Sequence, residues 1–195
     1  MVLHGPFGED GTVQGLLELA GLPYVGSGVL ASALGMDKHF TKTVLKQAGI
    51  AVAPWHTVTA RSWAEEPLAA IAAVEMLGLP VFVKPARAGS SVGVSKVSTI
   101  DQLADAMATA LAEDDKALIE ATLVGREVEI GVLGARPGQS PRASVAGEVV
   151  VSGREFYDFD AKYLAVKLSD AEVALLRVSS TFAVRSKVAR RKISL

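Results

Sequence analysis

The chain has no cysteine, no long apolar run and almost no net charge. Without cysteine, its 195 residues can form neither disulfides nor thiolate metal sites. No apolar run approaches the roughly 20 residues that a membrane-spanning helix needs, and residues 1–8 have neither the basic segment nor the apolar core of a secretory signal. A formal net charge of −1 provides no global field to attract nucleic acid or an anionic membrane. These absences predict a cytoplasmic protein whose partners are neither nucleic acids nor membranes.

Glycines and apolar periodicity divide the N-terminal part into short elements. Residues 1–3 are interpreted as the end of a buried strand, and residues 4–11 as a glycine-rich loop. Thr12 is predicted to cap a helix, and residues 22–25 are predicted to form a second strand. The inward face of the helix is predicted to carry Val13, Leu16, Leu17 and Ala20. This order of elements is typical of a parallel α/β sheet.

Strands and helices are predicted to alternate along the next part of the chain. A helix over residues 36–48 is predicted to end at Gly49. Its inward residues are predicted to be Phe40, Val44, Leu45 and Ala48. The elements predicted after it are a strand over 54–59, a helix over 64–77, a strand over 81–83, a helix over 101–112 and a strand over 118–120. The period then changes to the alternation of antiparallel strands, and residues 127–133 are predicted to pair with residues 145–151.

A short apolar strand followed by a flexible turn is the first candidate for a phosphate-binding site. The strand at 81–83 ends in Lys84, and the turn that follows, at 88–93, is rich in glycine and serine. A fixed ammonium and a loop with many backbone N–H and hydroxyl donors suit phosphate oxygens. The turn has neither the Walker A spacing nor the G-x-G-x-x-G pattern. A surface lysine followed by a plain turn therefore remains an alternative.

A second candidate is the segment at 156–163, in which aromatic residues and carboxylates alternate before Lys162 and Tyr163. Taken alone, this pattern is typical of a strand with one apolar face.

Five segments in order make the chain resemble the D-alanine–D-alanine ligases of the ATP-grasp superfamily. They read HGPFGEDGTVQG at 4–15, YVGSGVLASALGMDK at 24–38, GLPVFVKPARAGSSVGVSKV at 78–97, LIEATLVGREVEIGVLG at 118–134 and FYDFDAKYL at 156–164. The resemblance covers residues 1 to about 164. It implies an α/β ATP-grasp fold with an α+β central domain, incomplete, and with the end of a Rossmann-like N-terminal domain. The implied parts are the N-terminal remnant at 1–26, the central domain at 27–120, the start of a C-terminal domain at 121–164 and a tail outside the family at 165–195.

The resemblance also implies a reaction that serves peptidoglycan synthesis. In such ligases one D-alanine carboxylate attacks the γ-phosphate of ATP, and the amine of a second D-alanine attacks the resulting D-alanyl phosphate. The implied cofactors are ATP and Mg²⁺ or Mn²⁺, and the implied substrate is D-alanine. The resemblance further implies a homodimer of the full-length enzyme, whose interface in the family is expected largely in a part that would precede Met1.

By resemblance, particular residues would contact ATP. Lys38, Lys84 and Lys162 would contact its phosphates, where preorganised positive charge meets the charge that develops during transfer. Glu120 would lie near the adenine, and Glu127 would hold the ribose hydroxyls. The loop that would close over the triphosphate contains Gly89, Ser90, Ser91 and Val92.

By resemblance, other residues would bind the substrate and take part in catalysis. His4 and Glu9 would line the first D-alanine site, while Ser90 and Tyr163 would orient D-alanine and its amine, with Lys162 at the γ-phosphate. Tyr163 favours an amine acceptor over a hydroxyl acceptor. From the residues alone, His4 is also compatible with a core imidazole, and Glu9 and Asp10 with a pair of carboxylates that complement a helix N-terminus.

The resemblance ends at Leu164, before the motifs that in the family supply the metal ligands and an arginine for the oxyanion. The metal ligands are therefore expected to be absent from this chain, and residues 165–195 are interpreted as a foreign or frame-shifted end. On that interpretation the chain is expected to be inactive alone. Two alternatives stay open: a different ATP-grasp carboxylate–amine ligase, and a non-catalytic nucleotide-binding fragment.

Overall fold

The structure is a computed structural model that describes residues 3–135 and 138–149. The chain divides into two compact units, Met1–Leu123 and Val124–Leu195, and each is described by itself. The elements of the first unit are α1 (Thr12–Leu19), α2 (Val29–Met36), α3 (Lys38–Gln47), β1 (Trp55–Thr59), α4 (Ala60–Glu65), α5 (Pro67–Leu77), β2 (Val81–Pro85), β3 (Ser95–Val97), a 3₁₀ turn (Ile100–Gln102), α6 (Leu103–Glu113) and β4 (Lys116–Ala121).

The first unit is organised around a four-stranded antiparallel sheet in the order β1-β4-β2-β3. Trp55 of β1 and Phe82 of β2 are both register partners of Glu120 on β4, so the three residues form one row across the sheet. Residues 117–120 of β4 are all buried, although successive side chains of a strand point to opposite faces. Both faces of the sheet are therefore covered at β4.

One face of the sheet carries the apolar core, which α5 and α6 cover. Pro67 begins α5, where its fixed φ and missing N–H are tolerated, and Gly78 ends it with φ 79°. The core residues are Val58, Val81, Val83, Val97, Ala117 and Ile119 from the strands, with Ala70, Val74, Leu103, Ala106, Met107 and Ala110 from the helices. Their burial from water supplies the main driving force for folding of this unit.

The opposite face is polar, aromatic and charged, and α3 contacts it through side chains. Trp55, Thr57, Lys84 and Glu120 all make their contacts on this side. The same sheet is therefore apolar on one side and ionic on the other.

The described part of the second unit consists of two short antiparallel pairs. β5 (Glu127–Glu129) pairs with β8 (Gly147–Val149), and β6 (Val132–Leu133) pairs with β7 (Arg142–Ala143). The predicted pairing is confirmed for residues 127–129, which pair with 147–149. It is wrong for residues 132–133, which pair with 142–143 and not with the predicted partner at 145–151. Val128, Ile130 and Val132, the predicted apolar face, are exposed.

The N-terminal predictions were wrong in three respects. Residues 22–25, which the structure describes, form no strand, and Gly11, not Thr12, occupies the N-cap of α1. Gln14 is the buried residue of α1, whereas Leu16 is exposed. The physical reason is that α1 packs on α2 and on its own preceding loop, where Gln14 Nε2 donates to Gly8 O at 3.1 Å, and not on a parallel sheet.

Most of the later elements lie where they were predicted, with two changes of detail. The helix predicted over 64–77 is two helices, α4 and α5, with Glu66 between them. The break occurs here because Pro67, the first residue of α5, cannot continue a preceding helical turn. The helix predicted over 101–112 begins with a 3₁₀ turn. The predicted positions of the strands β1, β2 and β4 are confirmed.

Candidate functional site

Helix α3 turns Lys38 and Lys42 toward the sheet, whereas Phe40, Val44 and Lys46 are exposed. Asp37 caps the helix by accepting from the backbone N–H groups of His39 at 3.0 Å and Phe40 at 3.2 Å. The side chain of Lys42 is 14% exposed, whereas Phe40 is 53% exposed. Of the four residues predicted to face inward, only Leu45 is partly buried. The prediction was wrong for Phe40, Val44 and Ala48, which are exposed. The face of the sheet that α3 covers offers a carboxylate and carbonyl oxygens, which lysines satisfy and apolar side chains do not.

Glu120 is bound by two lysines from different elements. Its two carboxylate oxygens accept from Nζ of Lys42 on α3 and Nζ of Lys84 on β2. Burial alone would raise the pKa of the Glu120 carboxyl, but the charges and hydrogen bonds of Lys84 and Lys42 outweigh burial and hold the pKa below its usual value. Lys42 also donates to the carbonyl oxygen of Ala53 at 3.1 Å. The carboxylate thus fixes both ammonium groups in place.

Aromatic rings lie beside both lysines. Lys42 Nζ is 5.4 Å from the ring centroid of Trp55, and Lys84 Nζ is 5.9 Å from that of Phe82. Trp55 and Phe82 are the neighbours of Glu120 in its row across the sheet, so an aromatic ring lies next to each of the two ion pairs.

Lys38 is buried among backbone carbonyls. Its Nζ donates to the oxygens of Pro85 at 3.0 Å, Ala86 at 3.3 Å and Ala88 at 2.5 Å. Burial, helped by the positive charge of Lys84, lowers the pKa of Lys38 to about 8. The three carbonyls orient the ammonium without neutralising its charge. Lys38, Lys42, Lys84 and Glu120 are called the cationic cluster below.

The cationic cluster has an excess of two positive charges when Lys38 is protonated, because three ammonium groups face one carboxylate. The cluster therefore offers preorganised charge to an anion with several oxygens. Burial is the main cause of the lowered pKa of Lys38, with the charge of Lys84 second. These residues fit the phosphates of a nucleotide.

The turn at 88–93 is held at its first end by Arg87. The backbone N–H of Arg87 donates to Asp114 Oδ2 at 2.7 Å, and its Nη2 donates to Asp114 Oδ1 and to Asp115 Oδ1, each at 2.5 Å. The Asp114 side chain is 2% exposed. Burial would raise the pKa of Asp114, but hydrogen bonds from Arg87 prevail and lower it. Asp114 thus joins the start of the turn to the end of α6.

Two serines of the turn adopt left-handed backbone conformations. Ser90 has φ 54° and Ser91 has φ 60°, values that are uncommon outside glycine and that often occur at functional sites. Gly93, with φ 70°, closes the turn against Pro85 and Glu113. Gly89 and Val92 are linked by a backbone hydrogen bond of 3.0 Å. The predicted loop residues thus form one compact turn beside Lys38.

The predicted D-alanine residues His4 and Glu9 lie together in the N-terminal loop. His4 Nδ1 is 3.9 Å from Glu9 Oε1, and Glu9 Oε2 accepts from the backbone N–H of Gly5 at 2.7 Å. The neighbouring Asp10, and not Glu9, binds the first N–H of α1, at Thr12. Of the two carboxylates in the helix N-terminus alternative, Asp10 therefore takes that role, whereas Glu9 contacts Gly5 and His4.

Three predicted residues are not part of this geometry. Glu127 lies on β5 in the second unit and is exposed. Lys162 and Tyr163 lie outside the described residues. Their roles stay predictions.

Sequence reasoning missed Lys42, Trp55, Arg87 and Asp114. Lys42 was available from helix geometry, because it follows Lys38 by four residues and therefore shares its face. Arg87 and Asp114 are separated by 27 residues, and the sequence carries no signal of their contact.

Within residues 3–135 and 138–149, no group of three or more His, Asp or Glu side chains is placed to hold a metal ion. No step of a reaction is therefore assigned to a metal here. No helix in the same residues is long and apolar enough to cross a membrane.

Comparisons with known proteins give one consistent family. The sequence model described as "D-ala D-ala ligase C-terminus" matches residues 44–190, and the one described as "D-ala D-ala ligase N-terminus" matches residues 1–27. The first match extends past Leu164, where the motif-based resemblance ends. The domain boundaries proposed at residues 26, 120 and 164 stay predictions.

Individual relatives agree with these matches. A D-alanine–D-alanine ligase of Pseudarthrobacter chlorophenolicus is 56% identical over 165 residues, which cover 84% of this chain and 43% of the relative. The solved D-alanine–D-alanine ligase of Coxiella burnetii has a TM-score of 0.67 at 41% identity, over 75% of this chain and 42% of that chain. The VanG D-Ala:D-Ser ligase of Enterococcus faecalis has a TM-score of 0.71 at 35% identity, over 94% of this chain and 54% of that chain. The chain spans about half the length of the relatives it matches.

Proposed function

The chain belongs to the D-alanine–D-alanine ligase family, whose C-terminal sequence model matches more than half of it, and on this premise we propose that the cationic cluster binds the triphosphate of ATP. The predicted α/β ATP-grasp fold class is confirmed by the same relatives. The observation that carries the proposal is the double ion pair of Glu120, whose carboxylate binds the ammonium groups of both Lys42 and Lys84.

The cluster suits phosphate because its charges are fixed before the ligand arrives. Lys42 and Lys84 are oriented by one carboxylate, and Lys38 by three carbonyls. Phosphate oxygens bound here gain electrostatic energy with little reorganisation of the site. A nucleotide phosphate also offers a negative partner to the buried ammonium of Lys38, whose pKa burial and Lys84 lower. The turn at 88–93 begins beside the same site, where Lys38 Nζ donates to Ala88 O.

At the level of the whole ligase, we propose ATP-dependent joining of two D-alanine molecules. His4 and Glu9 are proposed to line the site of the first D-alanine, and Ser90 and Tyr163 to orient substrate. Lys162 is proposed at the γ-phosphate, Glu120 near the adenine and Glu127 at the ribose. When bound, Mg²⁺ would screen phosphate charge. Because the reaction consumes ATP, we place it in the cytoplasm.

Nucleotide binding is tested by calorimetric titration of the full chain with ATP. Lys84→Met removes the ammonium but keeps an apolar stem, and we expect it to weaken binding at least about tenfold, as a lost charge-assisted contact does. Lys46→Met is the matched control. The Lys46 ammonium lies 5.8 Å from the Trp55 centroid, much as that of Lys84 lies 5.9 Å from the Phe82 centroid, but it does not bind Glu120.

Lys46→Met is expected to bind ATP within about twofold of the parent chain, as is usual for an exposed charge. Equal losses in the two variants would contradict the assignment of the phosphates to the cationic cluster. No measurable affinity of the parent chain for ATP would refute the binding proposal itself.

The second substrate is tested in a full-length ligase that contains this chain, by ADP release with D-alanine alone and with D-alanine plus D-serine. The solved relative that joins D-Ala to D-Ser makes D-serine the relevant competitor. Release with D-alanine alone supports the D-alanine–D-alanine assignment, whereas release that requires D-serine would replace it.

A further inference from the structure

We propose that His39 is a positioning residue that fixes Trp55 and, through it, the ammonium of Lys42 in the cationic cluster. This inference deepens the proposed ATP site and rests on it. It concerns a residue that lies one position from Lys38 in sequence but faces a different partner.

His39 accepts a hydrogen bond that defines its neutral form. Trp55 Nε1 lies 3.2 Å from His39 Nδ1, and the indole nitrogen can only donate. The lone pair of His39 is therefore on Nδ1 and its proton on Nε2. Thr57 Oγ1 lies 2.8 Å from the same Nδ1. His39 thus ties α3 to two alternate residues of β1.

Trp55 transmits this contact to the charged groups. Its ring lies edge-on to the imidazole, with centroids 6.2 Å apart. Lys42 Nζ and Lys46 Nζ lie 5.4 Å and 5.8 Å from the Trp55 centroid. Trp55 is also the register partner of Glu120, which binds Lys42. A rotation of the Trp55 ring would therefore move the aromatic surface that contacts the Lys42 ammonium.

The hydrogen bond restrains that rotation. An indole ring in a polar layer keeps its orientation when its N–H has a fixed acceptor. Without the acceptor, the N–H must find water, and the ring would turn outward from the layer between α3 and β1. Lys42 would then lose its cation–π contact and part of its shielding from water. Phosphate binding at Lys42 would weaken although no phosphate contact had been removed.

Packing alone is the competing explanation, and two substitutions separate it from positioning. His39→Leu keeps similar bulk but has no acceptor. His39→Asn is smaller but places an amide oxygen near the position of Nδ1. Packing predicts that the leucine variant is the milder of the two, whereas positioning predicts that the asparagine variant is. His56→Asn is the matched control, because His56 is exposed and lies on β1 between the two contact residues.

The experiment measures ATP affinity by calorimetry and the emission of Trp55 in a Trp63→Phe background of the full chain. We expect His39→Leu to weaken ATP binding about fivefold to thirtyfold, the effect of leaving one partly buried donor without its acceptor. We also expect its Trp55 emission to shift to longer wavelength. His39→Asn and His56→Asn are expected to stay within about threefold of the parent, with little change in emission.

A second background keeps the test valid if His39→Leu folds poorly. Trp55→Phe removes the donor but keeps an aromatic ring, so adding His39→Leu to it should weaken ATP binding by less than about twofold. Additive losses would overturn the proposal, as would a leucine variant that binds ATP as well as the parent or an asparagine variant as weak as leucine.

The emission measurement needs no nucleotide. A red shift in His39→Leu without one in His39→Asn supports the positioning contact even if the parent chain fails to bind ATP, in which case only the proposed function fails. Identical emission in parent and leucine variants overturns the positioning role whatever the affinity for ATP.

Discussion

Replacing Asp114 should destabilise the first unit far more than replacing its neighbour Asp115, although both contact the same arginine. Asp114 is 2% exposed and accepts from the backbone N–H and the guanidinium of Arg87, whereas Asp115 is 79% exposed and accepts from the guanidinium alone. Hydrogen bonds to a charged group contribute about 1.5–3 kcal/mol each. The guanidinium is half exposed and can be rehydrated, so only part of this energy is lost.

The expected free-energy losses follow from that exposure. Asp114→Ala should cost about 2–4 kcal/mol and Asp114→Asn about 1–2 kcal/mol, because asparagine keeps one acceptor. Asp115→Asn should cost at most about 0.5–1 kcal/mol, as exposed ion pairs do. The corresponding fall in Tm for Asp114→Ala is about 10 °C, measured by circular dichroism on the full chain.

The pH dependence of the free energy of unfolding provides an independent test of the Asp114 contact. Hydrogen bonds from Arg87 hold the folded-state pKa of Asp114 below its ordinary value of 3.8, against the opposing effect of burial. The stabilisation is therefore complete above that ordinary value and is lost as the pH falls through the folded-state pKa. The stability gap between the parent and Asp114→Asn should narrow below about pH 4. Equal destabilisation by Asp114→Asn and Asp115→Asn, or a gap that widens in acid, would refute this account of the contact.

Two further predictions concern the residues around the turn. Gly93→Ala should cost about 1–2 kcal/mol in thermal unfolding, because φ is 70° and the added Cβ would lie 3.0 Å from Glu113 Cγ, whereas Gly89→Ala, with nothing within 4 Å, should change stability by under about 1 kcal/mol. Similar losses at both glycines would contradict it. Near pH 8, ATP binding should take up protons at Lys38, whose pKa of about 8 rises beside phosphate, so calorimetric heats in two buffers of different ionisation enthalpy should differ in the parent and not in Lys38→Met. Equal heats in the parent would refute that assignment.

The central elements were predictable because their local signals and their tertiary environment agree. The strands at Val81–Pro85 and Lys116–Ala121 contain short apolar runs, and most of their residues are buried as those runs suggest. The strand at Trp55–Thr59 is more polar, and Val58 is its one fully buried residue. The strand that was predicted at 22–25 does not form, because local sequence and tertiary environment disagree there. Its apolar residues are compatible with a strand, but in the described residues they have no partner strand with which to pair.

The orientation of α3 was predicted wrongly for a physical reason that the sequence hides. Apolar periodicity identifies the buried face of a helix only when its partner surface is apolar. The partner surface of α3 contains Glu120 and backbone carbonyl oxygens, which lie far away in sequence. Lys38 and Lys84 are both members of the cationic cluster, and their predicted roles at the phosphates stay predictions. Lys42 lies on the side of α3 that apolar periodicity assigns to solvent, and its contact with Glu120 has no signal in the local sequence.

The two faces of the β1-β4-β2-β3 sheet should respond to different properties of the surrounding solution. The face under α5 and α6 is held by apolar burial, whose strength follows temperature through a large heat-capacity change. The face under α3 is held by ion pairs and hydrogen bonds, whose strength follows ionic strength. Screening by a simple salt therefore acts on the side that carries Lys42 and Lys84, but only modestly, because ion pairs whose side chains are 12% to 20% exposed are screened less than exposed ones. A change of temperature acts mainly on the opposite, apolar side.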